Sequence, residues 1–362
     1  MHEMWPEAPI YTSVYLPEAM PRAYRSWDIR TSFMQRLPGL RSHFQKYLPL
    51  FPMAFEQFDF GGYDLVLDNS SAFSYGVITR PETLHVSYCL TPARFLWLYH
   101  DYVRREGLGT GARLALAPFL TQLRVWDRLA AERVDEFVGI SQAIRARIRK
   151  IYRRDAAVIY PPVDCDRFEV GRGGGDYFLI VGRLVPYKRV DLAIEACKRL
   201  GVKLKIAGGS GKHGGRDRAR LEAIAAGAPN VEFLGWVSNE QLRELYARCR
   251  AFLFVGEEDF GIVPLEANAA GRPVIAYAGG GALETVVDGE TGTFFHEPTA
   301  DALAEVLARF DERQYDPAHL RAHAERFGIP VFKERLAAFV REKLGDRAAA
   351  KAGHARDTRA LA

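Results

Sequence analysis

Four charged side chains in the second half of this 362-residue chain could act together on one anionic ligand: Arg183, Lys188, Glu258 and Glu266. Arg183 and Lys188 stand five residues apart, directly after the apolar run Phe178–Val181. A guanidinium forks onto two phosphate oxygens and an ammonium supplies a point charge, so the pair suits a diphosphate. The plainer alternative is two solvated cations on a loop. Glu258 lies on the glycine-containing segment Gly256–Gly261, which leads from an apolar run into a helical pattern. The free N–H groups and positive dipole end of such a helix favour an anion. Glu266 falls inside that helix, among Leu265, Ala267, Ala269 and Ala270. A carboxylate there is costly if buried without a partner, and it can accept paired hydrogen bonds from a vicinal diol such as that of ribose. An acidic first turn would account for Glu257, Glu258 and Asp259 through the helix dipole, but not for Glu266. A third loop, Gly208–Gly215, holds a formal GxGxxG starting at Gly209. It lacks the acidic residue expected at the end of the next strand for a dinucleotide site. It is read as a flexible loop near the phosphates, with Gly208 and Gly209 among the substrate-binding residues; the alternatives are an NAD site and a plain loop.

These residues need rigid elements behind them. From Val163 onward, short apolar runs (Tyr177–Val181, Leu204–Ala207, Val231–Leu234, Ala251–Val255, Pro273–Tyr277, Thr293–Phe295) alternate with helical patterns (Arg189–Leu200, Arg216–Ala226, Glu240–Arg248, Gly261–Ala270). Such alternation predicts a parallel, doubly wound α/β sheet, whose ligands bind at the carboxyl ends of the strands. All three loops named above follow a strand. The first half repeats the pattern less cleanly, with strands at Ile10–Val14, Leu65–Asp68, Leu84–Cys89, Glu136–Ile140 and Ala157–Tyr160. It also carries a long helical stretch from Tyr99 to Arg133 and a basic helix from Ser141 to about Tyr152. Pro161-Pro162 marks the linker. The expected domains are 1–162, 163–320, a C-terminal helix over 321–345 that can return to the first domain, and a disordered tail over 346–362.

Composition is that of a globular protein, 48% hydrophobic and 26% charged. Residues 1–162 hold 20 Lys+Arg against 16 Asp+Glu, and the remaining 29 of each complete the totals of 49 and 45, so the net +4 lies in the first half. That is too weak for a nucleic-acid partner. It suits an anionic acceptor or peripheral contact with an anionic membrane, for instance through Arg145, Arg147, Arg149, Lys150, Arg153 and Arg154. Four cysteines without a CxxC pair suggest neither zinc nor disulfides, and fit a reduced, cytoplasmic setting.

Glu258 through Glu266 is the E-x7-E spacing, and the chain resembles glycosyltransferase family 4. Gly182-Arg183-Leu184-Val185-Pro186-x-Lys188, Phe233-Leu234-Gly235-x-Val237 and Gly279-Gly280-Gly281-Ala282-Leu283-Glu284-Thr285 occur in the family's order. His85–Trp97 and Val158–Asp164 are similar to a bacterial mannosyltransferase-like subgroup. The resemblance implies a GT-B-like fold, two Rossmann-like domains facing each other across a cleft, and a retaining hexosyltransferase of cell-surface polysaccharide synthesis. Its donor would be a nucleotide-diphosphate sugar, GDP-mannose by subgroup, and its acceptor a glycan or lipid-linked sugar. It implies that Arg183 and Lys188 neutralise the diphosphate without a metal or cofactor and that Glu258 contacts the transferred sugar. Glu266 would bind the ribose, backbone N–H groups from Phe260, Gly261, Ile262 and Val263 would hold sugar and phosphate, and Trp236-Val237 would lie beside the base. Asp164-Cys165-Asp166 is a linker sequence rather than a metal site. The family places a strand, a glycine-rich loop and a helix before a segment like Pro6–Thr12, so the chain is expected to lack them. It has Leu90 where many relatives have histidine, and His85 is read as structural. Two other functions fit the same motifs: a sugar-nucleotide epimerase, and a non-catalytic nucleotide-sugar binder.

Overall fold

The computed structural model describes residues 1–40, 44–99, 110–171, 173–209 and 215–360. The chain divides into two compact units. One comprises Met1–Ile140, Ile144–Ile159 and Lys333–Ala362; the other comprises Ser141–Ala143 and Tyr160–Phe332.

The first unit contains two parallel sheets where the sequence pattern led to one. Among the described residues strand β1 (Ile10–Thr12) pairs with β2 (Ile29–Thr31) alone, a strand too short to leave a pattern. The second sheet has the order β3 (Leu65–Ser70), β4 (Leu84–Cys89), β5 (Glu136–Gly139), β6 (Ala157–Val158). All six residues of β4 are buried, as expected for a strand covered on both faces. Two of them, His85 and Ser87, bond to Asp68 on β3: His85 Nε2 lies 2.9 Å from Asp68 Oδ2, and Ser87 Oγ donates to Asp68 Oδ1 at 3.2 Å. His85 is therefore part of this unit's core. The helix Thr110–Glu132 packs Leu120 and Leu123 against Phe73, Ala93 and Leu96; residues 100–109 of the expected helical stretch lie outside the described residues. Its buried Asp127 accepts hydrogen bonds from Tyr75 and from Trp97 Nε1. Burial pushes that carboxyl above its usual range.

The last helix, Ile329–Ala360, joins the first unit from Lys333 onward. Leu336 and Val340 are buried, and Arg347 pairs with Asp135 at 3.1 Å. The expected disordered tail over 346–362 differs from this: helix continues to Ala360, and only 361–362 lie outside the described residues. The alanines, lysine and arginines of this stretch have high helix propensity, so it extends the helix without a core stripe. The expected C-terminal helix began at 321, whereas residues 321–332 remain with the second unit.

The second unit is a six-stranded parallel sheet in the order β12-β11-β10-β7-β8-β9. These are β7 (Tyr177–Val181), β8 (Lys203–Ala207), β9 (Val231–Gly235), β10 (Ala251–Phe254), β11 (Val274–Tyr277) and β12 (Gly292–Phe295). Helices Val190–Leu200, Gly215–Ile224, Asn239–Arg248, Ile262–Ala269 and Ala300–Arg309 connect or flank them. Val190–Leu200 shows how the pattern works: Val190, Ala193, Ile194 and Cys197 face Ile206, Leu303 and Leu307 in the core, and Gly201 ends the helix at φ +65°. Each large side chain buried this way contributes roughly 1.5–3 kcal/mol.

Among the described residues no helix is long and apolar enough to cross a membrane.

Candidate functional site

The order of strands in the second unit fixes where a ligand can bind. The chain runs from β7 outward through β8 to β9, then returns to β10 on the other side of β7. The loops leaving β7 and β10 therefore diverge at a topological switch point, where open α/β sheets form their crevice. Those loops carry Gly182–Lys188 and Gly256–Gly261.

Backbone hydrogen bonds draw the strand ends into one rim. Gly182 N donates to Ala207 O, Gly208 N to Gly235 O and Gly281 N to Glu258 O, at 3.0, 2.7 and 2.8 Å. Gly208, at φ +133°, approaches so closely that a Cβ would lie 1.9 Å from Gly182 O. At the mouth of β10, Gly261 takes φ +93° and opens the helix Ile262–Ala269.

Lys188 and Glu258, seventy positions apart, meet on this rim. Lys188 Nζ lies 2.5 Å from Glu258 Oε1, and both side chains are mostly buried. They line a small pocket with Val181, Phe254 and Gly256. Arg183 is exposed on the same β7 loop and donates through Nη2 to the Tyr187 hydroxyl at 3.3 Å. Glu266 stands half-buried inside its helix; its partner is the Tyr246 hydroxyl at 3.0 Å, and neither cation bonds it. Burial raises the Glu266 carboxyl above its ordinary value, partly offset by the Tyr246 hydrogen bond.

The apolar members of the predicted set fall on the same rim. Phe260 is buried and stacks on Tyr160 at 5.4 Å and 22°. Ile262 is exposed and Val263 half-buried in the first turn of the helix, whose leading N–H groups have no intrahelical acceptor. Trp236 is 84% exposed at the end of β9, and its indole covers Gly209, where a Cβ would lie 2.4 Å from Nε1. Val237 follows it, half-buried. Ser210–Gly214, the rest of the GxGxxG, lie outside the described residues.

Among the described residues no group of three His, Cys, Asp or Glu side chains is placed to hold a metal. Asp166 pairs with Arg321 at 3.2 Å, and burial pushes the Cys165 thiol up to about 11. In the first unit, most cations of the basic helix are already engaged. Arg145 and Arg149 share Asp155, Arg147 lies 3.4 Å from Thr91 Oγ1, and Arg154 bonds backbone carbonyls including Asp135 O. Lys150 and Arg153 are exposed.

Sequence reasoning missed Tyr246, Tyr187 and the carboxylate of Glu284. Glu284 Oε2 accepts from Gln142 N at 2.8 Å and its Oε1 from Ala143 N at 3.3 Å. Tyr246 and Glu284 bond to partners remote in sequence, so no local pattern points to those bonds; Tyr187 lies only four residues from Arg183, at the variable position of the quoted motif.

This geometry agrees with what the chain is similar to. Residues 164–327 match the family model of the Glycosyl transferases group 1. Over 207 residues it is 34% identical to a D-inositol 3-phosphate glycosyltransferase of Mycobacteroides abscessus, covering 51% of this chain and 45% of the relative. The chain spans about half the length of the curated relatives it matches. Sucrose-phosphate synthase of Thermosynechococcus elongatus has a TM-score of 0.65 at 19% identity, over 88% of this chain and 84% of that one. Anabaena HepE in complex with UDP and glucose has a TM-score of 0.56 at 20% identity, over 71% and 77%. At these identities the likeness establishes the fold, two Rossmann-like α/β units of the GT-B class.

Proposed function

We propose that this protein is a glycosyltransferase that moves a hexose from a nucleotide-diphosphate sugar to a glycan or lipid-linked acceptor, with retention of configuration. The observation that carries the proposal is the Lys188–Glu258 pair at the switch point, beside the N-terminus of the helix that bears Glu266. The group 1 match and the kinship with D-inositol 3-phosphate glycosyltransferases support it. The likeness to a structure holding UDP and glucose is in keeping with such a donor. Mannose is the sugar suggested by the subgroup resemblance.

In this account the donor diphosphate lies over the β7 and β10 loops. An ammonium has three N–H bonds; Lys188 gives one to Glu258 and has two for phosphate oxygens. Arg183, swinging from Tyr187, adds a fork, and the first-turn N–H groups of the Ile262–Ala269 helix complete the charge stabilisation. The bond from the sugar C1 to the diphosphate oxygen breaks, and a bond from C1 to the acceptor oxygen forms on the same face. The acceptor's hydroxyl proton passes to the departing diphosphate. Glu258, fixed by Lys188, orients the sugar, and Glu266 accepts the ribose hydroxyls. The chemistry calls on no metal and no resident cofactor. An anionic acceptor or membrane surface would meet the first unit through its exposed Lys150 and Arg153, in a cytoplasmic setting.

Incubation of the full chain with nucleotide sugars, with and without glycan acceptors, tests this. Transfer is expected only when an acceptor is present, and Glu258→Ala should abolish it with only a modest loss of donor binding. Interconversion of the nucleotide sugar alone would instead show an epimerase, and binding without turnover a non-catalytic binder. An unchanged rate in Glu258→Ala would remove Glu258 from the mechanism.

A further inference from the structure

Tyr246 is fully buried on the helix Asn239–Arg248, and its hydroxyl donates to Glu266 Oε2 at 3.0 Å. Among the described residues, Glu266 Oε1 accepts no hydrogen bond. A buried tyrosine hydroxyl needs an acceptor, and in this fold a backbone carbonyl commonly serves: Leu245 O for Tyr177 and Ile159 O for Tyr88. At Tyr246 the acceptor is half of a carboxylate whose other half is left available.

The donor is also held more firmly than its acceptor. The Tyr246 ring meets Phe168 edge-on at 5.4 Å and 87°, and Phe252 at 5.8 Å. Its helix starts at a capping box, in which Ser238 and Gln241 each accept from the other's backbone N–H. A tyrosine hydroxyl is placed by two dihedrals, both fixed here by packing. A glutamate carboxylate swings on three. The rigid group thus orders the soft one.

We propose that Tyr246 is a positioning residue for donor recognition: by clamping one oxygen of Glu266 it presents the other to the ribose diol of the nucleotide. This deepens the donor assignment above and rests on it. With the clamp removed, the carboxylate must be ordered by the ligand, at a cost to affinity. That cost falls only on ligands whose ribose engages Glu266.

The experiment uses the full chain and measures by calorimetry the Kd of UDP, GDP and the 2′,3′-dideoxy form of each. The proteins are wild type, Tyr246→Phe, Glu266→Gln and the double variant. Phe keeps the ring packing and loses the hydroxyl. Whichever ribonucleotide binds the wild type should bind Tyr246→Phe about three- to tenfold more weakly, the cost of ordering one long side chain on binding. Its dideoxy form should bind both proteins equally, which also shows that the variant is folded. In the Glu266→Gln background, Tyr246→Phe should change the ribonucleotide Kd less than twofold. Equal weakening of ribose and dideoxyribose ligands, loss of both, or no change would each overturn the inference. Binding by the wild type without preference for ribose would overturn it and leave the donor assignment standing. Failure of both UDP and GDP to bind the wild type would overturn the donor assignment and this inference with it.

Discussion

An ammonium 2.5 Å from a carboxylate, both mostly removed from water, is a pair whose halves depend on each other. Removing one partner leaves the other buried and unpaired, which costs more than the pair itself contributes. Lys188→Ala is therefore expected to weaken donor binding and also to unsettle Glu258. Glu266 makes a different case. Burial raises its carboxyl above the ordinary 4.5, Tyr246 and Arg167 pull it down, and Asp164 pushes it up. Because the folded-state value is the higher one, the ionised carboxylate costs stability at every pH above it. The cost fades as pH falls through the folded value and is gone below the unfolded one. Glu266→Gln should therefore raise the Tm near neutral pH and leave it nearly unchanged in acid below the ordinary carboxyl value, while weakening nucleotide binding at neutral pH. A lower Tm for the Gln variant near neutral pH, in a thermal melt series, would contradict this. The placement of Arg183, Lys188 and Glu258 on the loops after β7 and β10, and of Glu266 in the helix that follows, was legible from their spacing. Tyr246 was not, because its partner is twenty residues away and nothing local distinguishes it from a core tyrosine.

At the scale of elements, the second unit was readable because its central strands β7 and β10 are apolar runs buried almost throughout, while β8 and β9 toward the edge still carry enough apolar residues to show. Its helices carry clear core faces. Ile194 shows how much such a face holds: it is fully buried against both sheet and helix neighbours. Ile194→Ala should destabilise the protein by about 2–5 kcal/mol, measured by denaturant unfolding. A loss near zero would mean that the helix Val190–Leu200 does not pack as described. The first unit was harder. Between Pro17 and Leu50 the described residues form short 3-10 turns around Pro17, Pro21 and Pro49, and such turns show neither period. The three-residue β2 escaped notice for the same reason. The tail beyond 346 misled in the opposite sense, since its composition lacks a core stripe yet favours helix.

At the scale of the whole molecule, the group 1 match covers residues 164–327, nearly the whole of the second unit, and that unit carries every residue assigned to the donor. A donor that binds only the folded chain should stabilise it by about 2.7 kcal/mol at a hundredfold excess over its Kd. The central claim is that the β7 and β10 loops of this unit grip a nucleoside diphosphate. Calorimetric titration of the full chain and of Lys188→Ala with UDP- and GDP-sugars tests it most directly. One of these donors should bind the wild type, and Lys188→Ala should bind it at least about tenfold more weakly, as expected for the loss of a hydrogen-bonded charge. Equal affinity of the two proteins for every nucleotide sugar that binds, or no binding to the wild type, would contradict the account.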